Sequence, residues 1–252
     1  MTRRHSFRNR DLCLALAAAL LLAGVAAARA EPFVVGSFST AMPGTSPPAQ
    51  WTPQVFRNIA QHTRYTLVAD PEQGTVVHAD ARASASGLIR KLHLEPKETP
   101  ILRWRWKITR PVNGGDVTRK DGDDYAARIY VSFRYAPERL SIAERAQYAA
   151  ARLLYGEYPP HAGINYIWDA RAPVGTVVPN PYTDRVRMIV VESGATRGGR
   201  WIAYERDIVA DYRAAFGEDP PPIAGVAIMT DTDNTGDTVE AWYGDILLLP
   251  RN

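Results

Sequence analysis

Between Ile101 and Arg134 apolar and polar side chains alternate in two separate runs, and the remaining elements are arranged around these two. Leu102, Trp104, Trp106 and Ile108 fall on one face of the first run, Arg103, Arg105 and Lys107 on the other. A period of two is that of a strand with one face on a core. The second run sets Tyr125, Ala127, Ile129, Val131 and Phe133 against Ala126, Arg128, Tyr130, Ser132 and Arg134. The two runs read as a central strand pair. Their connection is glycine-rich and acidic, holding Asn113 to Asp116 and Lys120 to Asp124.

Shorter runs follow the same period elsewhere. Tyr65 to Val68 and Thr75 to Ala79 form a hairpin pattern around the turn residues Asp70 to Gly74. Leu88 to Leu94, Ile164 to Trp168, Trp201 to Arg206, Ile223 to Met229 and Val239 to Leu249 are further strands, and Asn180-Pro181-Tyr182 is a turn. Arg185 to Glu192 is apolar on both faces, as in a central strand covered on two sides.

Two segments change period. After Pro137, Ser141 and Glu144 have the spacing of a capping box, and Ile142, Ala146, Ala149, Ala150 and Leu153 recur at helical spacing as far as Gly156. This helix either packs on the strands or, with Tyr148, Tyr155 and Tyr158, forms a lid or rim over a cleft. Asp207 is placed to cap a second, short helix through Ile208, Tyr212 and Phe216, stopped by Gly217. The predicted fold is all-β, a β-sandwich of jelly-roll type with one or two short helical inserts, forming one domain over residues 31–252.

The N-terminus has a different composition. Arg3, Arg4, Arg8 and Arg10 precede an apolar run from Leu12 to Ala27, and Ala28-Arg29-Ala30 is a small-residue cleavage pattern. Residues 1–30 therefore read as a signal peptide cleaved after Ala30, which places the protein in the periplasm. The apolar run is short for a membrane span. Its removal takes five arginines and one aspartate, turning a formal charge of +3 into −1. The basic balance belongs to the precursor, and nothing in the remaining chain asks for nucleic acid. Cys13 lies in the same segment, so residues 31–252 have neither a disulfide nor a thiol nucleophile.

No phosphate-binding glycine loop, zinc-protease pair or serine-hydrolase elbow is present. His62, His78, His93 and His161 have no second histidine or cysteine at ligand spacing. Carboxylates carry the candidate chemistry. Asp231, Asp233 and Asp237, with Asn234 and threonines between, have the oxygen density of a calcium loop, though the same residues also build turns. Asp116, Asp121, Asp123 and Asp124 repel one another unless Lys120, Arg128 or a cation offsets them. Trp104 and Trp106 are core candidates, whereas Tyr166, Trp168 and Trp242, beside Asp116, Asp123, Asp124 and Arg128, are candidates for gripping a sugar ring. Glu192, Glu205 and Asp124 would supply a general acid and base if they converge.

Leu102 to Lys107, Asp123 to Val131, Asp231 to Thr235 and Tyr243 to Ile246 resemble, in order, the blocks of an exported bacterial family grouped as domain of unknown function 3047 (DUF3047). The resemblance covers nearly all of the chain after residue 30. It implies an envelope location and a single domain, and it transfers no catalytic residue. More loosely, the chain resembles the galactose-binding-like sandwiches of carbohydrate-binding modules. The expected function is a non-catalytic glycan-binding or accessory domain of the periplasm, with calcium as the candidate ion. The alternative is a carboxylate-dependent hydrolase of envelope glycans.

Overall fold

In the computed structural model, which describes residues 31–44, 46–155 and 158–251, the first alternating run is strand β6 (Ile101–Ile108). Leu102, Trp104, Trp106 and Ile108 are buried and the basic residues between them face outward. The predicted signal peptide, residues 1–30, lies outside the described residues.

Seven strands form the first sheet. Its order is β1 (Phe33–Gly36), β14 (Ile246–Leu249), β6, β13 (Thr238–Tyr243), β4 (Gly74–Arg82) and β3 (Arg64–Asp70), with β11 (Ile202–Asp207) on the other edge of β6. The predicted strand from Val239 to Leu249 is divided at Gly244-Asp245. Its first half pairs with β4 and β6, its second with β1 and β6. Asp245 leaves the ladder to accept the Ser39 backbone N–H (2.8 Å) and hydroxyl (2.6 Å), which ties down the strand-free segment after β1.

The second sheet runs β2 (Thr52–Gln54), β5 (Ala85–Leu94), β12 (Ile223–Asp231), β7 (Arg128–Phe133), β8 (Ala162–Asp169), β10 (Thr183–Ser193) and β9 (Val177–Asn180). The two runs of the opening pattern are thus not partners, because β6 is central to one sheet and β7 to the other. Periodicity assigns a face to each strand and leaves its neighbour open. Every pairing between these strands is antiparallel except β8 with β10, a departure from the antiparallel pairing expected of a jelly-roll. Met188 to Val191 of β10 are buried on both faces, as their composition requires.

The core lies between the sheets. Ile129, Val131 and Phe133 face Leu102, Trp104 and Trp106, and the Trp104 and Tyr166 rings stack across the layers at 5.3 Å between centroids. Among the described residues two α-helices interrupt this β-dominated, sandwich-like fold. The first, α1 (Ile142–Tyr155), opens on the expected capping box, in which the Ser141 N–H donates to Glu144 (2.8 Å) and the Glu144 N–H to the Ser141 hydroxyl (3.3 Å). Its apolar stripe, however, is outside: Ile142 is 86% exposed and Leu153 90%. Among the described side chains of this helix, Tyr148 enters the body. The second, α2 (Ile208–Phe216), is capped by Asp207, which accepts the N–H groups of Val209 and Ala210 (3.0 Å each), and ends at Gly217 with φ +75°. Among the described residues no helix is long and apolar enough to cross a membrane.

Candidate functional site

The outer face of the second sheet is open along β7. Alternation puts Arg128, Tyr130 and Ser132 on that face while Ile129, Val131 and Phe133 fill the core. At the Arg128 end the face is the floor of a cleft of about 840 Å³. Phe56 and its neighbours after β2 form one wall, Asn180, Tyr182 and Val186 the other, and Asp123, Asp231 and Asp233 close the end.

Backbone pairing holds this end together. The Asp231 N–H donates to the Tyr125 carbonyl (3.1 Å), and the Asp231 carboxylate accepts the Tyr125 N–H (3.3 Å). The connection after β6 is thereby clasped onto the last residue of β12. Asp124 completes the clasp: its two oxygens accept from the Asn234 backbone and side chain (3.3 and 3.0 Å) and from the Thr235 backbone and hydroxyl (2.7 Å each). Two acidic segments far apart in sequence, residues 121–124 and 231–233, meet in this way.

Arg128 sits inside that meeting, 3% exposed, with its guanidinium over the rings of Tyr125 (5.1 Å) and Tyr130 (5.5 Å). Its Nη2 donates to Asp231, while Nη1 lies 3.7 Å from Asp123 Oδ1, beyond hydrogen-bonding reach. Nε, Nη1 and Asp123 Oδ1 are buried without a partner within the protein. Buried polar groups are nearly always paired, so these three atoms mark a place for water or ligand at the bottom of the cleft.

Electrostatics follow from one buried guanidinium among four carboxylates. Burial raises the Asp231 carboxyl well above its ordinary range despite the pull of Arg128, and the charges of Asp124, Asp123 and Asp233 add to the rise. Burial also raises Asp123, against the pull of Arg128, and raises Asp233, where the Asp124 charge adds to it. Asp124, Asp231 and Asp233 each present an oxygen within 4.8 Å of the others'. Hard oxygens at this spacing could hold a divalent ion. Arg128 already bonds to Asp231 and Asn234 and Thr235 to Asp124, which leaves Asp233 as the carboxylate with its side chain least committed.

Several residues singled out from the sequence lie elsewhere. Asp237 does not join Asp231 and Asp233. A turn closed by the Gly236 N–H on the Thr232 carbonyl (2.9 Å) carries it onto Arg110, which binds both its oxygens at 2.7 Å and holds it far below the usual carboxylate range. Asp124 takes its place. Asp116 is satisfied by Thr118 in its own loop and by Arg171 (3.1 Å) from the segment after β8. Tyr166 and Trp168 are in the interlayer core, and their polar atoms are used there: the Tyr166 hydroxyl donates to Asp211 (2.7 Å) and the Trp168 indole to the Gly194 carbonyl (2.9 Å). Trp242 lies on the outer face of the first sheet, stacked on His78 with the Lys107 ammonium 4.8 Å above its ring.

Glu192 and Glu205 do not converge with Asp124. Glu192 accepts from Tyr204 (2.6 Å) and Arg197 (2.7 Å), and Glu205 pairs with Arg103 on the outer face of the first sheet. Sequence reasoning missed Phe56, Tyr130, Asn180 and Tyr182 as cleft residues. Tyr130 shares the polar face of its strand with Arg128, and Tyr182 follows a recognised turn, so both left a signal; Phe56 left none.

Among solved structures, the family 11 carbohydrate-binding module of a cellulosomal cellulase of Clostridium thermocellum is similar over 88% of this chain and 95% of its own, at 8% identity and a TM-score of 0.41. The family 30 carbohydrate-binding module of another cellulosomal cellulase of that organism is similar over 88% and 99%, at 9% identity and a TM-score of 0.39. A mutant of ENZbleach xylanase is similar over 88% of both chains, at 10% identity and a TM-score of 0.42. Likenesses this distant do not bear on ligand or chemistry. No curated protein matches the chain. The family described as "Protein of unknown function (DUF3047)" matches residues 49–247, and the chain belongs to it.

Proposed function

We propose that the protein is a non-catalytic glycan-binding domain of the bacterial envelope and that the cleft over Arg128 is its binding site. The observation that carries this reading is the lining of the cleft. Phe56, Tyr130 and Tyr182 offer ring faces, and between them Arg128 Nε and Nη1 and Asp123 Oδ1 are polar atoms in want of partners. Sugars present apolar ring faces and hydroxyls that both donate and accept, which is the complement of such a lining. Tyr182, 57% exposed, is the ring most available for stacking.

A binding role is favoured over hydrolysis because the carboxylates of the hydrolase reading do not converge: Glu192 and Glu205 are held by Tyr204, Arg197 and Arg103 away from Asp124. A retaining or inverting glycosidase needs two carboxyl groups free to face the scissile bond. Here Asp124 accepts four hydrogen bonds and Asp231 is locked to Arg128. Calcium at Asp124, Asp231 and Asp233 would offset the surplus negative charge and stiffen the clasp beside the cleft. The envelope location rests on the signal-peptide pattern of residues 1–30.

Titration calorimetry of the purified protein with oligosaccharides from envelope polysaccharides tests the binding role. Wild type is expected to bind, and Tyr182→Ala to lose about tenfold in affinity through lost stacking. Absence of binding by every glycan, or unchanged affinity in Tyr182→Ala, would remove the cleft as a glycan site.

A further inference from the structure

The cleft is one end of a longer groove whose charge reverses along its length. Past Tyr130 the outward positions of the same chain are Ser132 and Arg134. Two residues of strand advance about 6.6 Å, so Arg128 and Arg134 stand about 20 Å apart. Tyr130, Thr183 and Val186 line both the cleft and a middle compartment of about 420 Å³. Ser132, Pro159 and Pro160 line both that compartment and a far one of about 460 Å³.

Asp123, Asp231 and Asp233 line the first compartment together with Arg57 and Arg128, a formal balance of about −1. Among the described residues no carboxylate lines the other two, which carry Arg185 in the middle and Lys91, His93 and Arg134 at the far end. Arg185 is neutralised by Glu144. Arg134 has no such partner among the described residues; its Nη1 lies 2.6 Å from the imidazole of His93, itself a nitrogen base. The wall beside them is firm, because Tyr135 stacks on Tyr158 at 4.2 Å and on Tyr148 at 4.7 Å. A guanidinium without a carboxylate, lining the same concave compartment as the Tyr135 and Tyr158 rings, projects a positive field into the groove.

We propose that the groove takes a linear acidic glycan, laid along β7 in one direction, with a sugar carboxylate in the Arg134–His93 compartment and uncharged hydroxyls over Arg128. This rests on the glycan-binding reading of the cleft. A planar carboxylate matches the guanidinium fork, and it supplies the anionic acceptor that Arg134 lacks among the described residues. The reversed chain is disfavoured, because it would set the carboxylate against Asp123, Asp231 and Asp233. A neutral glycan would fill the cleft and gain nothing from the far end.

The test compares a β-linked oligomannose ending in a single mannuronate with the all-mannose oligomer of equal length and linkage, which differ in one carboxylate, on wild type, Arg134→Gln and Tyr182→Ala. Wild type should bind the oligomer ending in mannuronate about tenfold more tightly, the effect of one charge-assisted contact. Arg134→Gln should abolish that advantage and leave oligomannose binding unchanged, and raising the salt should shrink the advantage. Tyr182→Ala should weaken both ligands together. Equal affinity of wild type for the two oligomers, or an advantage that survives in Arg134→Gln, would overturn the acidic-glycan inference while leaving the cleft as a glycan site. Failure of both oligomers to bind would overturn the two together.

Discussion

Replacing Arg128 with methionine tests the electrostatic account of the cleft floor directly. The substitution conserves much of the side-chain volume and removes the guanidinium that pairs with Asp231, a carboxylate 1% exposed. Removing one partner of a buried pair costs about 3–5 kcal/mol, because the other charge is left uncompensated. Protonation sets a ceiling on that cost. The carboxyl can take up a proton, which at neutral pH costs about 1.4 kcal/mol per pH unit above its unfolded pKa of about 4, or about 4 kcal/mol in all. The folded pKa of Asp231 is raised in the wild type as well, so part of this cost is already present there. The variant should therefore lose no more than about 4 kcal/mol at pH ~7, a fall in melting temperature of about 10 °C or less for a chain of this size.

The pH dependence has a definite sign. Burial already holds the folded pKa of Asp231 above its unfolded value, so the folded state keeps the proton more tightly. Stability at this group is therefore greatest below the unfolded pKa and falls as pH rises through the folded pKa. Without Arg128 the folded pKa rises further, and the fall extends to higher pH. The gap between variant and wild type should widen as pH rises through the wild type's folded pKa of Asp231, from about 1 kcal/mol near pH ~4, where loss of packing is the main term, towards that ceiling. Urea unfolding of both proteins at the two pH values measures this. Arg103→Met serves as the control, since its partner Glu205 is exposed and the loss should stay within about 1 kcal/mol at either pH. A gap of equal size at both pH values would show that Asp231 is not the titrating partner of Arg128.

Trp104→Ala should cost about 3–5 kcal/mol in urea unfolding, against about 0.5 kcal/mol or less for Arg105→Ala on the opposite face of β6; equal midpoints would contradict the assignment of faces. Millimolar calcium is expected to raise the melting temperature by a few degrees, reversibly with chelator, and Asp233→Asn to abolish the rise. An unchanged midpoint would leave the three carboxylates as a hydrogen-bonded clasp. Mass spectrometry of protein recovered from the envelope should find Glu31 at the N-terminus, and retention of residues 1–30 would refute the export reading.

Local pattern was enough for what is local. Alternation over 101–108 and 128–133 determined which side chains of β6 and β7 are inside, and the Ser141–Glu144 and Asp207–Gly217 signals fixed where helices begin or end. Capping and face selection depend on residues within a turn or two, so a single stretch of chain encodes them. Pairing partners are not encoded that way. The same alternation is satisfied whether β6 and β7 lie side by side or in facing sheets, and the packing of the whole chain chose the second. The helical period of α1 likewise marked an apolar stripe without saying that it would face outward.

The site shows the same division. The sequence marked Asp123, Asp124, Arg128, Asp231 and Asp233 as chemistry-bearing residues, because such charge density must be offset by something. Which of them meet was decided by the clasp between Tyr125 and Asp231, across more than one hundred residues of chain. That contact brought Asp124 to Asp233, the turn at Gly236 sent Asp237 to Arg110, and the facing sheets drew Tyr166 and Trp168 into the core. An aromatic residue on an alternating strand is equally compatible with a core and with a groove. Only the position of its strand between two layers, or at the rim of one, decides which of the two it enters.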